Sequence, residues 1–275
     1  MMRVPQPGEG KMASMAQAGE NLSIGQVFSR GLGVIVDNPV TVFGIAFLFG
    51  ALPSVAITWL RQQWLLGIKD NYQMLGSAAV VLVSMFVGLV LQTLVQGSLV
   101  RATLAYARGE KATFSECVGS ALAVVLPLIL LGILMVLGIW LGMILLFVPG
   151  VMLFVMWSVA SPALVAERTG VFEAFGRSRF LTKGARWKVF GIEVILIVVY
   201  YVFIGAFAAT TFSATGSNFA TSVSTNGLSF GWIVATVISS TLATTVWSTV
   251  QTSLYVELRN WKEGLPEQSL AEIFA

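Results

Sequence analysis

The sequence contains no histidine. That absence excludes His–Ser and His–Cys nucleophile pairs, histidine general bases and histidine metal ligands. A single cysteine, Cys117, excludes intrachain disulfides and thiolate metal clusters. Charge is scarce: 11% of the 275 residues are Asp, Glu, Lys or Arg, against roughly 25% in a soluble globular domain. Also missing are a Walker loop, a dinucleotide fingerprint and any metal-ligand spacing. Hydrophobic residues make up 56% of the chain. This composition excludes a water-soluble domain and a disordered chain. The expectation is a protein that is not an enzyme and that holds no metal and no cofactor.

A spanning helix needs about 20 apolar residues to cross roughly 30 Å of hydrocarbon. Six stretches qualify or come close: Pro39–Leu60, Ser77–Val100, Leu128–Val148, Gly150–Val165, Val189–Ala209 and Phe230–Val256. The predicted fold is an all-α polytopic membrane protein with six transmembrane helices. Its membrane domain covers 22–258, between an N-terminus at 1–21 that is expected to be disordered and a tail at 259–275 with a short helix. Residues 1–20 hold no apolar core, so no cleavable signal peptide is expected, and Met12 and Met15 are alternative starts. Pro149–Gly150 reads as a tight turn that makes spans three and four a hairpin. Arg61–Gly76 joins the first two spans, and the uncharged Thr210–Ser229 joins the last two.

With six spans both termini share one side, together with the loops after spans two and four. That side carries fourteen of the sixteen basic residues, leaving only Arg61 and Lys69 opposite. The positive-inside rule makes the rich side cytoplasmic. The net charge of +3 hides this asymmetry. No soluble domain is large enough to display a basic stripe, so a nucleic-acid partner is not expected.

Ser23-Ile-Gly-Gln26, Thr113-Phe-Ser-Glu116 and Ser269-Leu-Ala-Glu272 fit the capping-box pattern, and Gly170-Val-Phe-Glu173 is a weaker case with glycine at the cap. Gln26, Glu116 and Glu173 are followed by Pro39, Pro127 and Gly184, at gaps of 13, 11 and 11, and then by a span. Phe28, Arg30 and Val42-Phe-Gly-Ile45 recur as Phe175, Arg177 and Val189-Phe-Gly-Ile192 at one offset of 147. Val95-Gln-Gly-Ser-Leu99 is echoed by Val250-Gln-Thr-Ser-Leu254. The expectation is three repeats of a cytoplasmic interfacial helix plus a transmembrane hairpin. The surface helices Leu22–Asn38 and Val171–Lys183 lie in the head-group layer or pack under the bundle as a collar. In the second, Phe172, Phe175 and Leu181 fall near one side and Glu173 pairs with Arg177 at i, i+4.

The densest basic cluster is Arg177, Arg179, Lys183, Arg186 and Lys188, with Trp187 among them. Guanidinium forks and ammonium groups suit an anionic lipid head group, and the indole suits the interface. Plain topogenic anchoring accounts for the same residues. Glu193 is the only acid well inside a span; it has either a proton or cation role or a partner in Lys188 or a nearby arginine. Span six carries rows of hydroxyls stepping by four: Thr236, Ser240, Thr244, Ser248 and Thr252, beside Thr241, Thr245, Thr249 and Ser253. Such a face turns inward. It either packs through small residues or, with Gln92, Gln96 and Gln251, walls a polar cavity. Gly138-xxx-Gly142 reads as a packing notch.

Three stretches carry a likeness to known proteins. They are Val148-Pro-Gly-Val-Met-Leu with Trp157-Ser-Val-Ala-Ser-Pro-Ala-Leu-Val-Ala-Glu167, then Glu173-Ala-Phe-Gly-Arg-Ser-Arg-Phe-Leu-Thr-Lys-Gly184, then Tyr255-Val-Glu-Leu-Arg-Asn-Trp-Lys-Glu-Gly264 with Leu270-Ala-Glu-Ile-Phe274. Over residues 22–274 the chain resembles the bacterial glycerophosphoryl diester phosphodiesterase membrane-domain family and the related YciC-like inner-membrane proteins. The resemblance implies a helical polytopic protein of the bacterial cytoplasmic (inner) membrane, whose biochemical role is mostly undefined in the family. It does not imply the hydrolase. In that family the hydrolase is a separate barrel built on histidines and metal-binding carboxylates, for which this chain has neither residues nor room. The expected partners are membrane lipids, with a membrane-protein partner or a second copy as a further possibility. The leading expectation is a lipid-interacting protein that affects lipid distribution, membrane shape or partner recruitment. The others are a small-solute or lipid transporter, and an accessory subunit of a membrane complex.

Overall fold

Residues 22–66, 71–215 and 230–264 are described in a computed structural model. Eleven α-helices and one π-helical turn make up these residues, and no strand occurs among them. In chain order they are α1 (Ile24–Asp37), α2 (Pro39–Ile45), the π turn Ala46–Ala51, α3 (Leu52–Leu66), α4 (Asn71–Ala107) and α5 (Phe114–Ala123). There follow α6 (Val125–Leu145), α7 (Phe147–Trp157), α8 (Ala160–Glu167), α9 (Val171–Thr182), α10 (Arg186–Thr215) and α11 (Phe230–Glu263).

Among the described residues four helical stretches are long and apolar enough to cross a membrane: Pro39–Arg61, Ala78–Ala107, Val125–Leu145 and Phe147–Glu167. Their apolar surface faces outward. Leu82, Phe86, Leu126 and Leu141 are exposed, while Thr103, Ser178, Thr182 and Glu193 are buried. Water would drive the opposite arrangement; lipid permits this one. Helices α10 and α11 have 30 and 34 residues. At about 1.5 Å per residue both exceed the roughly 30 Å of a hydrocarbon core.

Local chemistry explains the boundaries. Ser23 caps α1 by accepting from the Gln26 N–H at 3.4 Å. Thr113 and Glu116 form a reciprocal capping box at the start of α5. Glu173 reaches back to the Gly170 N–H at 3.0 Å, half a box because glycine has no hydroxyl. Ser269 and Glu272 lie outside the described residues. Each of these three caps opens a short helix that leads into a longer helical run. The π turn precedes Pro53. Proline has no N–H for the Phe49 carbonyl and its ring crowds that oxygen, so the chain widens there and the Leu52 N–H reaches Phe47 instead.

The structure corrects four local expectations. The connection expected over 61–76 is mostly helix, since α3 continues to Leu66 and α4 begins at Asn71. The hinge of the hairpin is Leu146, which is extended, and Pro149–Gly150 lies inside α7. Proline is tolerated in a first helical turn because its missing N–H would have no partner there anyway. Gly150 belongs there because a Cβ would stand 2.7 Å from the Met143 backbone nitrogen. Phe172 is not on the buried face of α9; Ala174, Ser178, Leu181 and Thr182 are. Glu173 caps its own helix, and Arg177 pairs elsewhere.

Two apolar clusters hold the bundle. The larger joins Leu131, Leu164, Leu181, Ile192, Leu254 and Tyr255, from α6 and α8 to α11. The smaller joins Val34, Val42, Val95, Leu99 and Cys117, from α1, α2, α4 and α5. Helix α1 lies against α11 so closely that a Cβ on Gly31 would come within 2.9 Å of Val250. It is thus part of the packed bundle. Helices α6 and α7 meet through Gly138, against Trp157, and Gly142, against Gly150. A Cβ at Gly138 would stand 2.5 Å from the Trp157 ring.

Candidate functional site

The end of the bundle formed by the last turns of α4, α8 and α11 and by the short helices α1, α5 and α9 gathers most of the ionic groups. Arg177, on α9, donates through Nε to Glu167 Oε1 at 2.7 Å and pairs through its second nitrogen with Glu263. Tyr255 donates its hydroxyl to the same Glu167 oxygen at 2.7 Å. Arg259 closes the group on Glu263 at 3.0 Å. This clasp ties α8, α9 and α11 together. Burial alone would push the Glu263 carboxyl up, but hydrogen bonds from Arg177 and Arg259 outweigh it and hold the carboxyl below its ordinary value. Burial works against the charged Arg177 guanidinium too, and its bonds to Glu167 and Glu263 more than offset that. A separate pair joins Arg30 to Glu257 at 2.7 Å, between α1 and α11.

The six residues expected to meet head groups therefore divide. Arg177 is built into the clasp. Arg186 reaches Met156 Sδ at 3.8 Å, and Lys188 donates to the Leu22 carbonyl at 3.4 Å. Arg179, Lys183 and Trp187 are exposed, Trp187 at 86%. Phe172, in the first turn of α9, is also exposed, at 78%. Two aromatic side chains standing out beside two free-standing cations have the chemistry of a membrane-interface anchor.

A pocket of about 560 Å³ opens nearby, between α4, α5 and α8. Arg101, Arg108, Glu116, Ser120 and Arg168 contribute its polar wall, and Leu104, Val165 and Ala166 are among its apolar residues. Among the described residues no carboxylate lies within 4 Å of any of these three guanidiniums, whereas Arg30, Arg177 and Arg259 are all paired. Sequence reasoning counted the three only as markers of sidedness. The available signal was the placing of two arginines seven apart at the end of a span, Arg101 in α4 and Arg108 in the turn just after it. Nothing in the linear sequence brings Arg168 to them. Cys117, in α5, is fully buried, and burial pushes its thiol up to about 11, which makes it unreactive at neutral pH.

Of the intramembrane polar residues, Glu193 and Gln251 meet between α10 and α11. Glu193 is fully buried, and its Oε1 accepts from Gln251 Nε2 at 3.5 Å. Thr249, Thr252 and Ser253 each bond the carbonyl four residues back, at 2.8–2.9 Å. Glu193 Oε2 and the hydroxyls of Thr241, Thr245 and Ser248 are buried without a hydrogen-bond partner among the described residues. Gln92 is exposed, while Gln96 and Thr244 are half-buried. The gap beside this seam, lined by Leu196, Tyr200, Phe203, Val246 and Trp247 among others, is apolar and holds about 20 Å³. No group of three metal-ligating side chains occurs among the described residues.

Fold and site together define a class: a helical membrane protein with a polar, cation-rich end. No family model, no curated protein and no solved structure matches the chain.

Proposed function

We propose that this chain is a six-span, non-enzymatic protein of the bacterial cytoplasmic membrane that engages anionic lipid head groups at its basic end. By doing so it would affect lipid distribution, membrane shape or the recruitment of a partner. In this reading α10 and α11 are spans five and six, and α1, α5 and α9 begin three related units. The stretches that resemble the glycerophosphoryl diester phosphodiesterase membrane-domain family fit a membrane role without its hydrolase.

The observation that carries the reading is the exposure of Phe172, Arg179, Lys183 and Trp187 along α9 and at the start of α10. Cations there meet the negative surface of the inner leaflet, at about 1 kcal/mol per residue near the surface. Native mass spectrometry of gently extracted protein tests it. Phosphatidylglycerol should be retained over phosphatidylcholine, and the pair Arg179→Gln, Lys183→Gln should weaken that preference. Equal retention of the two lipids by the wild-type protein would sink the proposal. Arg177 is left intact because its loss breaks the clasp.

A transporter is the second reading, favoured by Glu193. A fully buried carboxylate with one oxygen unbonded among the described residues, on a helix that packs against a hydroxyl-rich one, suits an ion or proton path. Solute or proton flux into vesicles that the protein supports, and that Glu193→Gln abolishes, would decide for it.

A further inference from the structure

We infer that the pocket between α4, α5 and α8 is a phosphate site, in which Arg101, Arg108 and Arg168 together bind one phosphate-bearing anion. The inference rests on the reading that the basic end meets anionic groups, and it assigns the place where one is held.

Three observations converge. The guanidiniums come from two separate parts of the chain, the end of α4 and the residue closing α8, and line one pocket. Among the described residues none of the three has a carboxylate within 4 Å, whereas Arg30, Arg177 and Arg259 are each paired. Glu116, the one acid on the wall, already accepts from the Thr113 N–H at 3.1 Å as part of its capping box. The pocket is therefore positive in sum, and its charged donors are forks suited to the oxygens of a phosphate. Its volume of about 560 Å³ falls in the range of small-ligand sites.

The backbone at Arg168 adds an independent sign. It ends α8 in the left-handed conformation, at φ 51°, ψ 36°. Among the described residues it is the only non-glycine with a positive φ. This is the helix-ending position that glycine fills without strain, as Gly109, Gly184 and Gly264 do at their own positive φ. An arginine that sustains the strain is expected where its side chain has work to do. The apolar part of the wall, Leu104 from α4 and Val165 and Ala166 from α8, continues directly from two membrane-crossing stretches. A phosphodiester could thus sit in the pocket with its acyl chains leaving along those helices. A soluble phosphate would use the same three arginines.

The test uses the full chain in neutral detergent with two probes. One is phosphatidylglycerol against phosphatidylcholine, scored by native mass spectrometry; the other is inorganic phosphate, scored by calorimetry. The variants are Arg168→Gly and the double change Arg101→Gln, Arg108→Gln. Arg168→Gly keeps the backbone conformation and relieves its strain, so its melting temperature should equal or exceed that of wild type. Its affinity for the anionic probe should nevertheless fall about tenfold, the value of a lost charged hydrogen bond. The double variant should lose more. Loss confined to the lipid probe identifies a head group, and loss confined to inorganic phosphate identifies a soluble ligand; both support the site. Should wild type bind phosphatidylglycerol and both variants bind it equally well, the pocket is overturned while the wider lipid reading stands. Should wild type ignore the lipid yet bind phosphate through these arginines, the lipid reading falls and the pocket stands. Binding of neither probe by wild type overturns both.

Discussion

Arg177 shows how a residue that looks like a ligand-binding cation can be committed to the fold. Its guanidinium is shared between Glu167 and Glu263, and the Tyr255 hydroxyl completes the first of these carboxylates. Removing the hydroxyl tests the clasp with least disturbance, because Phe keeps the ring in the core. Tyr255→Phe should destabilise the protein by about 1.5–3 kcal/mol, as expected for a hydrogen bond to a charged group. Titration with a denaturing detergent measures this, and an unchanged midpoint would show that Tyr255 contributes only its ring. The same logic separates Arg168 from Arg177. Arg177 has two acidic partners and sits in an ordinary helix; Arg168 has none among the described residues and holds a strained backbone.

At the scale of elements, close approach decides where chains of apolar residues bend and dock. Helices α6 and α7 lie together because Gly138 admits the Trp157 ring and Gly142 faces Gly150. A methyl group at Gly150 would meet the Met143 backbone, which cannot rotate away. Gly150→Ala should therefore destabilise the hairpin by about 1–3 kcal/mol. Gly132→Ala, in α6 of the same hairpin with nothing within 4 Å of the new Cβ, is the control and should be neutral or slightly stabilising. Comparing their melting temperatures checks the claim. Equal values would mean that α7 shifts to accept the methyl and that the notch is not tight. The seam of α11 follows a related rule. Thr249, Thr252 and Ser253 satisfy their hydroxyls on their own helix and so face a neighbour as paired donors, whereas Thr241, Thr245 and Ser248 are buried without a partner among the described residues.

For the whole molecule, the ionic end makes stability depend on pH in a definite direction. The Glu263 carboxyl is held below its ordinary value of 4.5 by Arg177 and Arg259. A carboxyl depressed in the folded state contributes stability that is complete above the unfolded value and fades as pH falls through the folded one. The melting temperature of wild type minus that of Glu263→Gln should thus be constant from neutral pH down to about pH 5 and shrink on further acidification. A difference that does not change with pH would mean that the clasp survives protonation of Glu263. The exposed pair Arg179 and Lys183 has no carboxylate within 4 Å among the described residues. Raised salt should weaken its attraction to anionic membranes more than it weakens the clasp.

Much of this molecule could be read from one dimension. The all-helical class, the apolar runs and the caps at Ser23, Thr113 and Gly170 follow from hydropathy and from hydrogen bonding within a few residues, which the linear order contains. The turn at Leu146 was not legible, because Pro149–Gly150 has the chemistry of a turn and only the packing of Gly150 on Met143 moves it into α7. The basic cluster at 177–188 was visible as a count of charges, yet which charges remain free depends on Glu167, Glu263, Met156 and Leu22 arriving from elsewhere in the chain. The pocket is the clearest case. Arg101 and Arg108 lie seven residues apart in sequence, but Arg168 joins them only when α8 packs against α4. Electrostatic partnership is a matter of distance in space, and distance in space is what tertiary packing decides.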